Sequence, residues 1–354
     1  MQILTEKDKK EYKEFLEKNE RCNFQQSIEW GKVKQAWKNE IVLSRDKNEK
    51  IVGAISVLIR KIPVFGNFMY VSRGPICNEH DETVLKDLTE GLKALAKKYK
   101  AFTLKWEPDI KSDDTEFRKI AEKLGFKIKD DAKDFSEGIQ PRYVFRLDLK
   151  NKTEDEIFQA FHQKTRYNIR LATKKGVVIK EGTREDLKDF HKIMEVTGKR
   201  DDFMIRPLSY FEKMYDELAP EHFKLMMAYT AEGEPISGII DIIYGNKIWY
   251  LYGASSNEHR NLMPNYLLQW DMIKYSIEHK KDMYDFRGVV GIVDESHPQY
   301  GLYRFKKGFN AEFTEFIGEL YINYKPLTYK MFKFSEKLYK KIAGLKNKLK
   351  ERGK

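Results

Sequence analysis

Residues 204–211, which read MIRPLSYF, have the character of a phosphate-binding segment. Pro207 is suited to be the first residue of a helix, which places Arg206 just outside the helix N-terminus. The free backbone amides of a helix start, together with a guanidinium group, form a ready site for phosphate. Arg-Pro is also common at helix starts without a ligand, so the pattern alone leaves both interpretations open.

Lys34 lies in a second segment of interest, residues 26–37, which read QSIEWGKVKQAW. Ser27 is a good N-cap for a helix. On a helix that continues from there, Lys34 shares one face with Trp30 and Trp37. A lysine on an apolar face is usually paired with an anion or extended to the rim of that face. The segment therefore indicates either a bound anionic ligand or a solvated lysine.

A basic row is predicted on residues 161–177, which read FHQKTRYNIRLATKKGV. Gly176 is expected to end this helix at the C′ position. Arg166, Arg170 and Lys174 are four residues apart and form one row without an acidic partner. Such a row suits RNA or another polyanion. Bases in the last turns of a helix also complement its dipole, which is the alternative interpretation.

Two further segments are expected to be extended. Residues 247–256, KIWYLYGASS, alternate as a strand, which would place Tyr250 and Tyr252 on the same side. Tyrosines in that position are more often core residues than ligand contacts. Residues 301–310, GLYRFKKGFN, carry three cations on what we expect to be an extended segment at the central sheet. Cations placed there need a partner or a functional role.

The positive charge of the chain is concentrated at its C-terminal end. The net charge is +11, and residues 325–354 contain eleven Lys and Arg against two Glu. Apolar residues recur there at three- and four-residue intervals, which predicts a basic amphipathic helix that suits an anionic membrane surface or RNA. A helix docked on the body of the protein is the alternative. The apolar residues are Met331, Phe334, Leu338, Ile342, Leu345 and Leu349.

Composition excludes several other classes of protein. The longest apolar run, residues 51–59, is far shorter than a membrane span of about 20 residues, so we expect a cytoplasmic protein, at most peripheral at the inner face of the membrane. Cys22 and Cys77 lie far apart in the sequence, and no cluster of Cys and His indicates a zinc site. We therefore expect neither a disulfide framework nor a metal.

The chain repeats itself. Gly53 and Gly238, which are 185 residues apart, each follow a predicted hairpin turn, and KLGF at 123–126 is matched by KKGF at 306–309. Within each half the predicted order is helix, antiparallel meander, helix, strand, helix and strand. This order indicates an α/β fold with a mixed sheet. The matched pairs of segments are 6–20 with 183–198, 42–57 with 226–240, 68–74 with 248–255, and 102–106 with 283–286.

The order of elements resembles the acyl-CoA N-acyltransferase (GNAT) fold. We expect two tandem GNAT-like domains that share a central cleft, the first formed by residues 1–146 and 318–354 and the second by residues 147–317. Members that bind CoA use a glycine-containing loop at a helix N-terminus. The corresponding segments, 78–82 and 259–265, lack those glycines, so CoA is disfavoured as the acyl donor.

Taken together, the segments resemble the FemABX family of peptidoglycan-bridge aminoacyltransferases. The resemblance implies transfer of Gly, Ser or Ala from aminoacyl-tRNA to the stem-peptide amine of a UDP-linked or lipid-linked peptidoglycan precursor. It implies no cofactor beyond aminoacyl-tRNA as co-substrate. The motifs that carry it stand in the family's order over residues 26–320: QSIEWGKVK, KTRYNIRLATKKGV, IRPLSYF, IWYLYGASS, MYDFRGV and GLYRFKKGFNAEFTEFIGEL.

The resemblance implies a role for five substrate-binding residues. Lys34 and Arg206 stand where similar enzymes hold the diphosphate of the precursor. Tyr210 and Tyr252 stand where those enzymes line the acceptor site. Glu107, in the sequence KWEP, occupies a position where relatives can have Asp.

The resemblance also implies the position of the chemistry. Phe305 and Lys306 match a pair near the aminoacyl ester, where Lys306 would stabilise the charge that develops on an ester oxygen. Some relatives carry a long helical arm that is held to bind tRNA, but here only residues 198–205 separate the two predicted helices. This chain is therefore expected to be a short form without the arm. The candidate tRNA contacts are Arg166, Arg170 and Lys174.

Two other functions fit parts of the pattern. An N-acyltransferase with a different donor would share the fold, and dependence on an acyl-CoA would support it. A protein that binds RNA or a membrane surface without catalysis would explain the basic tail and the row at 166–174, and it would yield no aminoacylated product.

Overall fold

Two sheets of seven described strands each form the framework of the protein. The structure is a computed structural model that describes residues 1–131, 138–336 and 338. In the first half the strands are β1 (Gln2–Ile3), β2 (Lys38–Arg45), β3 (Ile51–Ile62), β4 (Gly66–Arg73), β5 (Ala101–Pro108) and β6 (Lys127–Lys129). The helices of this half are α1 (Lys9–Lys18), α2 (Ile28–Val33), α3 (Glu82–Lys98) and α4 (Thr115–Lys123).

The second half repeats this arrangement. Its strands are β7 (Tyr143–Asp148), β8 (Val178–Glu181), β9 (Phe223–Tyr229), β10 (Pro235–Tyr244), β11 (Lys247–Ser255), β12 (Met283–Val289) and β13 (Glu312–Glu315). Its helices are α5 (Glu154–Ala160), α6 (Gln163–Lys174), α7 (Leu187–Arg200), α8 (Leu208–Leu218), α9 (Pro264–Glu278) and α10 (Tyr300–Lys307). The second half is followed by β14 (Glu319–Ile322) and a helix over 326–336, which we call the C-terminal helix.

Both sheets are mixed, as the repeated order of elements predicts. β2, β3 and β4 form an antiparallel meander and β5 is parallel to β4, while β9, β10 and β11 form a second meander and β12 is parallel to β11. The segments in the place of a CoA loop lead into α3 and α9, as expected. The predicted α/β architecture with mixed sheets is confirmed.

The two halves exchange one strand. β7 follows the first half in sequence but pairs with β12 and β13 of the second sheet. β14 follows the second half but pairs with β5 and β6 of the first sheet. β7 begins at Tyr143, shortly before residue 147, where we expect the second domain to begin.

A shared apolar core joins the halves. Tyr12, Phe24 and Trp30 of the first half belong to the same buried cluster as Phe211 and Trp249 of the second. The rings of Phe24 and Trp249 meet with centroids 5.1 Å apart. Burial of such aromatic groups is the largest favourable term in folding, so we expect the halves to hold a fixed relative position.

A buried ion-pair network reinforces this junction. The guanidinium group of Arg146, on β7, donates to both carboxylate oxygens of Asp109 at 2.8 and 2.6 Å and to Asp285 at 3.0 Å. Asp109 follows β5 of the first half, whereas Asp285 lies on β12. The adjacent arginine lowers the pKa of Asp109 far below its usual range, so the pair stays ionised.

Candidate active site

A cleft of about 1060 Å³ lies between the halves. Both sheets contribute to its walls, as expected for a tandem pair of domains that share a site. The lining residues used below are Trp30, Lys34, Trp37, Leu58, Arg60, Tyr70, Gln140, Arg206, Tyr210, Tyr250, Tyr252, Arg287, Gly288 and Lys306.

Lys34 enters the cleft from the end of a short helix. The Ser27 hydroxyl accepts a hydrogen bond from the Trp30 amide at 3.0 Å, so Ser27 is the predicted N-cap of α2. The helix ends at Val33, however, and the expectation that it continues to Trp37 is wrong. A turn over 34–37 redirects the chain into β2, which starts at Lys38. Lys34 is therefore the C-cap residue.

The side chain of Lys34 reaches across the cleft to the second half. Its ammonium group donates to the Tyr210 hydroxyl at 2.6 Å and lies 4.2 Å from the centroid of the Trp30 ring. Burial, together with the charges of the nearby Arg206 and Arg287 guanidinium groups, lowers the pKa of Lys34 to about 7. A bound anion would oppose both effects.

The four residues expected to hold and line the acceptor come together. α8 begins at Leu208, so Pro207 caps the helix and is not its first residue, a correction of one position. Arg206 lies 5.2 Å from the Tyr210 ring centroid, and its charge opposes the rise that burial causes in the pKa of Tyr252. Tyr210 and Tyr252 both pack against the ring of Phe211, with centroids 6.0 and 5.0 Å away. Together with Lys34 these residues form one cluster.

The two tyrosines of β11 do not share a side as expected. Strand pairing matches Tyr250 with Asp241 and Tyr252 with Ile240, which leaves Leu251 as an extra residue in a β-bulge. Tyr250 therefore packs against the core of the second half, while Tyr252 packs against the core that joins the halves. The bulge lets both residues line the cleft from different directions.

Lys306 is buried beneath the second half of the cleft. The extended conformation expected for 301–310 is wrong, because residues 300–307 form α10, which is rich in good helix formers. Lys306 is 5% exposed, and its ammonium group donates to the Gly288 carbonyl at 2.8 Å. Burial lowers the pKa of Lys306 to about 7, and Asp285 and Arg287 act on it in opposite directions. Lys307, the next residue, is exposed.

Phe305 does not accompany Lys306 into the cleft. It is absent from the lining residues and packs on Tyr266 and Phe309, with ring centroids 5.0 and 5.4 Å away. A helix turns about 100° per residue, so adjacent side chains point in different directions. Phe305 thus supports α10 from behind, while Lys306 faces the cleft.

Glu107 lies behind the cleft wall. It is 5% exposed, and its carboxylate accepts hydrogen bonds from the amides of Ile139 and Gln140 at 2.9 and 3.0 Å. It also accepts a hydrogen bond from the hydroxyl of Tyr70, which does line the cleft. Burial raises the pKa of Glu107. The carboxylate fixes Tyr70 and the 139–140 backbone and is itself absent from the lining residues.

The predicted basic row on α6 lies outside the cleft. α6 ends at Lys174, and Gly176 follows with φ +76°, as the sequence predicts. Arg166 donates to the backbone carbonyls of Gln159 and Phe161, while Arg170 lies over the Phe158 ring at 5.2 Å. Arg170 and Lys174 are exposed. Arg166 therefore has a local structural role, and the other two cations face solvent.

Arg287 is a cleft residue that the sequence did not single out. It lies on β12 at φ +62°, within a bulge between Asp285 and Gly288, and its amide donates to Asp285 at 2.7 Å. Its guanidinium group donates to Gln140 at 2.9 Å. The motif MYDFRGV contained this arginine, but nothing in the motif indicated its left-handed conformation.

The charge of the cleft is unbalanced. Among the residues that the structure describes, five of its cations form no ion pair with a carboxylate: Lys34, Arg60, Arg206, Arg287 and Lys306. Unpaired cations in a partly buried site lower one another's pKa, as happens to both lysines here. The cleft is therefore suited to a ligand with several negative charges.

Known proteins share this fold. The crystal structure of FemX superposes with a TM-score of 0.87 at 26% identity, over 94% of this chain and 99% of that chain. A tandem GNAT protein from the clavulanic acid biosynthesis pathway superposes with a TM-score of 0.53 at 11% identity, which shows the fold alone. The predicted pair of tandem GNAT-like domains is confirmed.

Sequence comparison identifies the family. A lipid II:glycine glycyltransferase from Staphylococcus epidermidis is 31% identical over 373 residues, which cover 86% of this chain and 88% of that protein. A lipid II:glycine glycyltransferase from Staphylococcus aureus is 29% identical over 97% of this chain. The model of the FemAB family matches residues 7–233 and 229–337. The predicted kinship with Fem-type aminoacyltransferases is confirmed, and the chain belongs to the FemAB family.

Proposed function

We propose that this protein transfers glycine from glycyl-tRNA to a stem-peptide amine of a lipid-linked peptidoglycan precursor. The relatives that are named lipid II:glycine glycyltransferases favour both glycine and the lipid-linked acceptor among the alternatives left open by the sequence. The observation that carries the proposal is the cleft with its unpaired cations, of which Lys34 and Arg206 both contact Tyr210 while Lys306 is buried in the second half beneath the cleft.

The acceptor diphosphate would bind at Lys34 and Arg206. Both cations contact Tyr210, so one ligand can reach both. A diphosphate needs several charge-assisted hydrogen bonds, and an arginine supplies a planar pair of donors beside the point charge of a lysine. Tyr252 would then orient the adjoining part of the acceptor through its hydroxyl.

The chemistry would be direct attack of the amine on the aminoacyl ester. The amine nitrogen bonds to the glycyl carbonyl carbon, the ester bond to the ribose oxygen breaks, and the proton lost by the amine passes to that oxygen. Protonated Lys306 would stabilise the negative charge on the carbonyl or leaving oxygen. Because an aminoacyl ester is already activated, orientation and charge stabilisation suffice, and no cofactor is required.

The C-terminal helix would hold the enzyme at an anionic membrane. Tyr329 and Phe332 pack it against the aromatic cluster that includes the cleft residue Tyr70. The opposite face is apolar and open to solvent, since Leu327 is 77% and Phe334 69% exposed, and Met331 and Leu338 complete the stripe. An apolar stripe on a basic helix suits a bilayer surface.

Parts of this assignment rest on sequence alone. Ile342, Leu345 and Leu349 of the predicted tail helix lie outside the described residues. No helix in the described part of the chain is long and apolar enough to cross a bilayer.

A reconstituted transfer assay tests the proposal. The purified protein is incubated with tRNA charged with labelled Gly, Ser or Ala and with either lipid-linked or UDP-linked precursor. We expect labelled glycine on the lipid-linked precursor. Labelled product from acetyl-CoA, or none from any charged tRNA with either precursor, would contradict the proposed function.

A further inference from the structure

Arg287 lines the same cleft as Lys34, Tyr252 and Lys306. Its charge acts on both Lys34 and Lys306, where it adds to the lowering of the pKa that burial causes. It also opposes the rise that burial causes in the pKa of Tyr252. Arg287 is therefore available to a ligand that occupies the cleft together with the diphosphate cluster and the buried lysine.

The protein holds this arginine in place without neutralising it. The Asp285 carboxylate accepts hydrogen bonds from the Arg287 backbone amide at 2.7 Å and from the Arg146 guanidinium at 3.0 Å, so its direct ion pair is with Arg146, and it acts on the Arg287 guanidinium only through space. The side chain of Arg287 donates to the neutral amide oxygen of Gln140 at 2.9 Å. Gln140 is itself held by Gln25 and by Glu107. The guanidinium group is thus oriented by neutral partners and keeps its charge for a ligand.

The backbone of Arg287 is strained. At φ +62° a residue other than glycine is strained, and the bulge at 285–288 is needed to produce it. The same bulge presents the Gly288 carbonyl to Lys306 at 2.8 Å. One local distortion therefore orients both Arg287 and the buried lysine.

We propose that Arg287 binds a carboxylate of the acceptor peptide and thereby selects acceptors that carry it. The inference rests on the proposed function. If the diphosphate lies at Lys34 and Arg206 and the reacting amine at Lys306, the part of the acceptor between them is the neutral muramyl sugar followed by the first residues of the stem peptide. The anionic groups of a peptide are carboxylates, and the planar donors of an arginine match a carboxylate in a bidentate pair.

Matched acceptors test this inference. Soluble lipid II analogues with a short lipid chain are prepared with free carboxylates, and each carboxylate is replaced in turn by a carboxamide. For the wild-type protein, one of these replacements should lower kcat/KM about 10- to 100-fold, the scale of a charged hydrogen bond. Arg287→Gln should lower kcat/KM by a similar factor for the acceptor that carries the free carboxylate. The same variant should have nearly the wild-type kcat/KM for the acceptor in which that carboxylate is replaced by a carboxamide.

Two further variants separate recognition from folding. Arg287→Lys keeps the charge but loses the planar pair of donors, so it should recover only part of the preference. Arg206→Gln should lower kcat/KM for both acceptors by the same factor, because it is assigned to the diphosphate. Thermal unfolding of each variant shows whether its fold is intact.

The outcomes distinguish the two proposals. Equal use of carboxylate and carboxamide acceptors by the wild-type protein overturns the role of Arg287 and leaves glycyl transfer standing. The role of Arg287 is also overturned if an Arg287→Gln variant folds normally and its kcat/KM falls by the same factor with every acceptor. Absence of product with all acceptors overturns both.

Discussion

Lys34 and Tyr210 join the two halves of the protein across the cleft through a hydrogen bond of 2.6 Å. Lys34 follows a helix of the first half and Tyr210 lies on α8 of the second, so neither half alone forms the cluster. The shared apolar core and the Arg146 network fix the distance between them. Acceptor binding therefore depends on the docking of the halves as well as on the residues themselves.

Loss of the Lys306 charge should mainly affect turnover. A cation beside the ester matters most when negative charge develops, so Lys306→Ala should lower kcat by about 10²-fold or more while KM changes less. Lys306→Arg should restore only part of the rate, since the larger group cannot occupy the same buried position. Steady-state kinetics with glycyl-tRNA and the lipid-linked precursor measure both.

Lys307 is the matched control for this prediction. It lies on the same helix, is exposed, and faces the Tyr303 ring and not the cleft. Lys307→Ala should therefore keep nearly normal turnover. Equal damage from the two substitutions, or normal turnover in a folded Lys306→Ala protein, would remove the catalytic assignment.

Substitution of Arg206 should weaken binding of the acceptor more than binding of the donor. Arg206→Ala removes one of the two cations that contact Tyr210, and we expect the KM for the precursor to rise by roughly tenfold or more. The KM for glycyl-tRNA should stay close to the wild-type value. Tyr210→Phe, which removes the hydroxyl partner of Lys34, should also raise the KM for the precursor. A comparable rise for both substrates contradicts the diphosphate site.

Stability should increase with pH through Lys306. The folded protein lowers the pKa of this lysine from 10.5 to about 7, so between these values the unfolded chain binds more protons. The free energy of unfolding then rises as pH increases, by roughly 2 kcal/mol between pH 7 and 9 for this group. Lys306→Met should abolish that part of the rise. Urea unfolding at several pH values, in the absence of substrates, compares the two proteins.

The exposed cations of α6 should contribute to tRNA binding. A double substitution, Arg170→Glu with Lys174→Glu, should raise the KM for glycyl-tRNA, and the effect should shrink as salt concentration rises. The KM for the precursor should not change. Arg166 is kept intact because it donates to carbonyls at the end of α5. If the variant has an unchanged KM for glycyl-tRNA at low salt, tRNA does not bind at these two residues.

The apolar stripe of the C-terminal helix should bind membranes. Replacing Leu327, Met331 and Phe334 by Gln should reduce sedimentation with anionic vesicles and lower activity on the lipid-linked precursor in vesicles. Activity on a soluble analogue should remain, because these side chains face away from the body.

Val64→Gln provides the control for the stripe. Val64 is 98% exposed but lies between β3 and β4, outside the C-terminal helix. Its replacement should leave vesicle binding unchanged. If the stripe variant still sediments with vesicles as the wild-type protein does, the membrane proposal is wrong.

The sequence by itself determined the elements whose signals are local. The hairpins at 42–57 and 226–240, the cap at Ser27 and the end of α6 before Gly176 depend on residues a few positions apart. Because the same order of predicted elements occurs in both halves, the sequence predicts both the α/β class and the tandem arrangement. Lys34, Arg206, Tyr210 and Tyr252 were found because each stands in a short motif.

Only the tertiary structure decided features that depend on distant segments. The pairing of β7 with β12 and β13 joins strands far apart in sequence, which no local propensity records. The opposite directions of Tyr250 and Tyr252 follow from a bulge set by the register between β10 and β11. Arg287 owes its position to a left-handed backbone that Asp285 and Gln140 hold in place. Helix packing likewise buried Lys306 and turned Phe305 away, because the contacts that bury a side chain are made by residues from elsewhere in the chain.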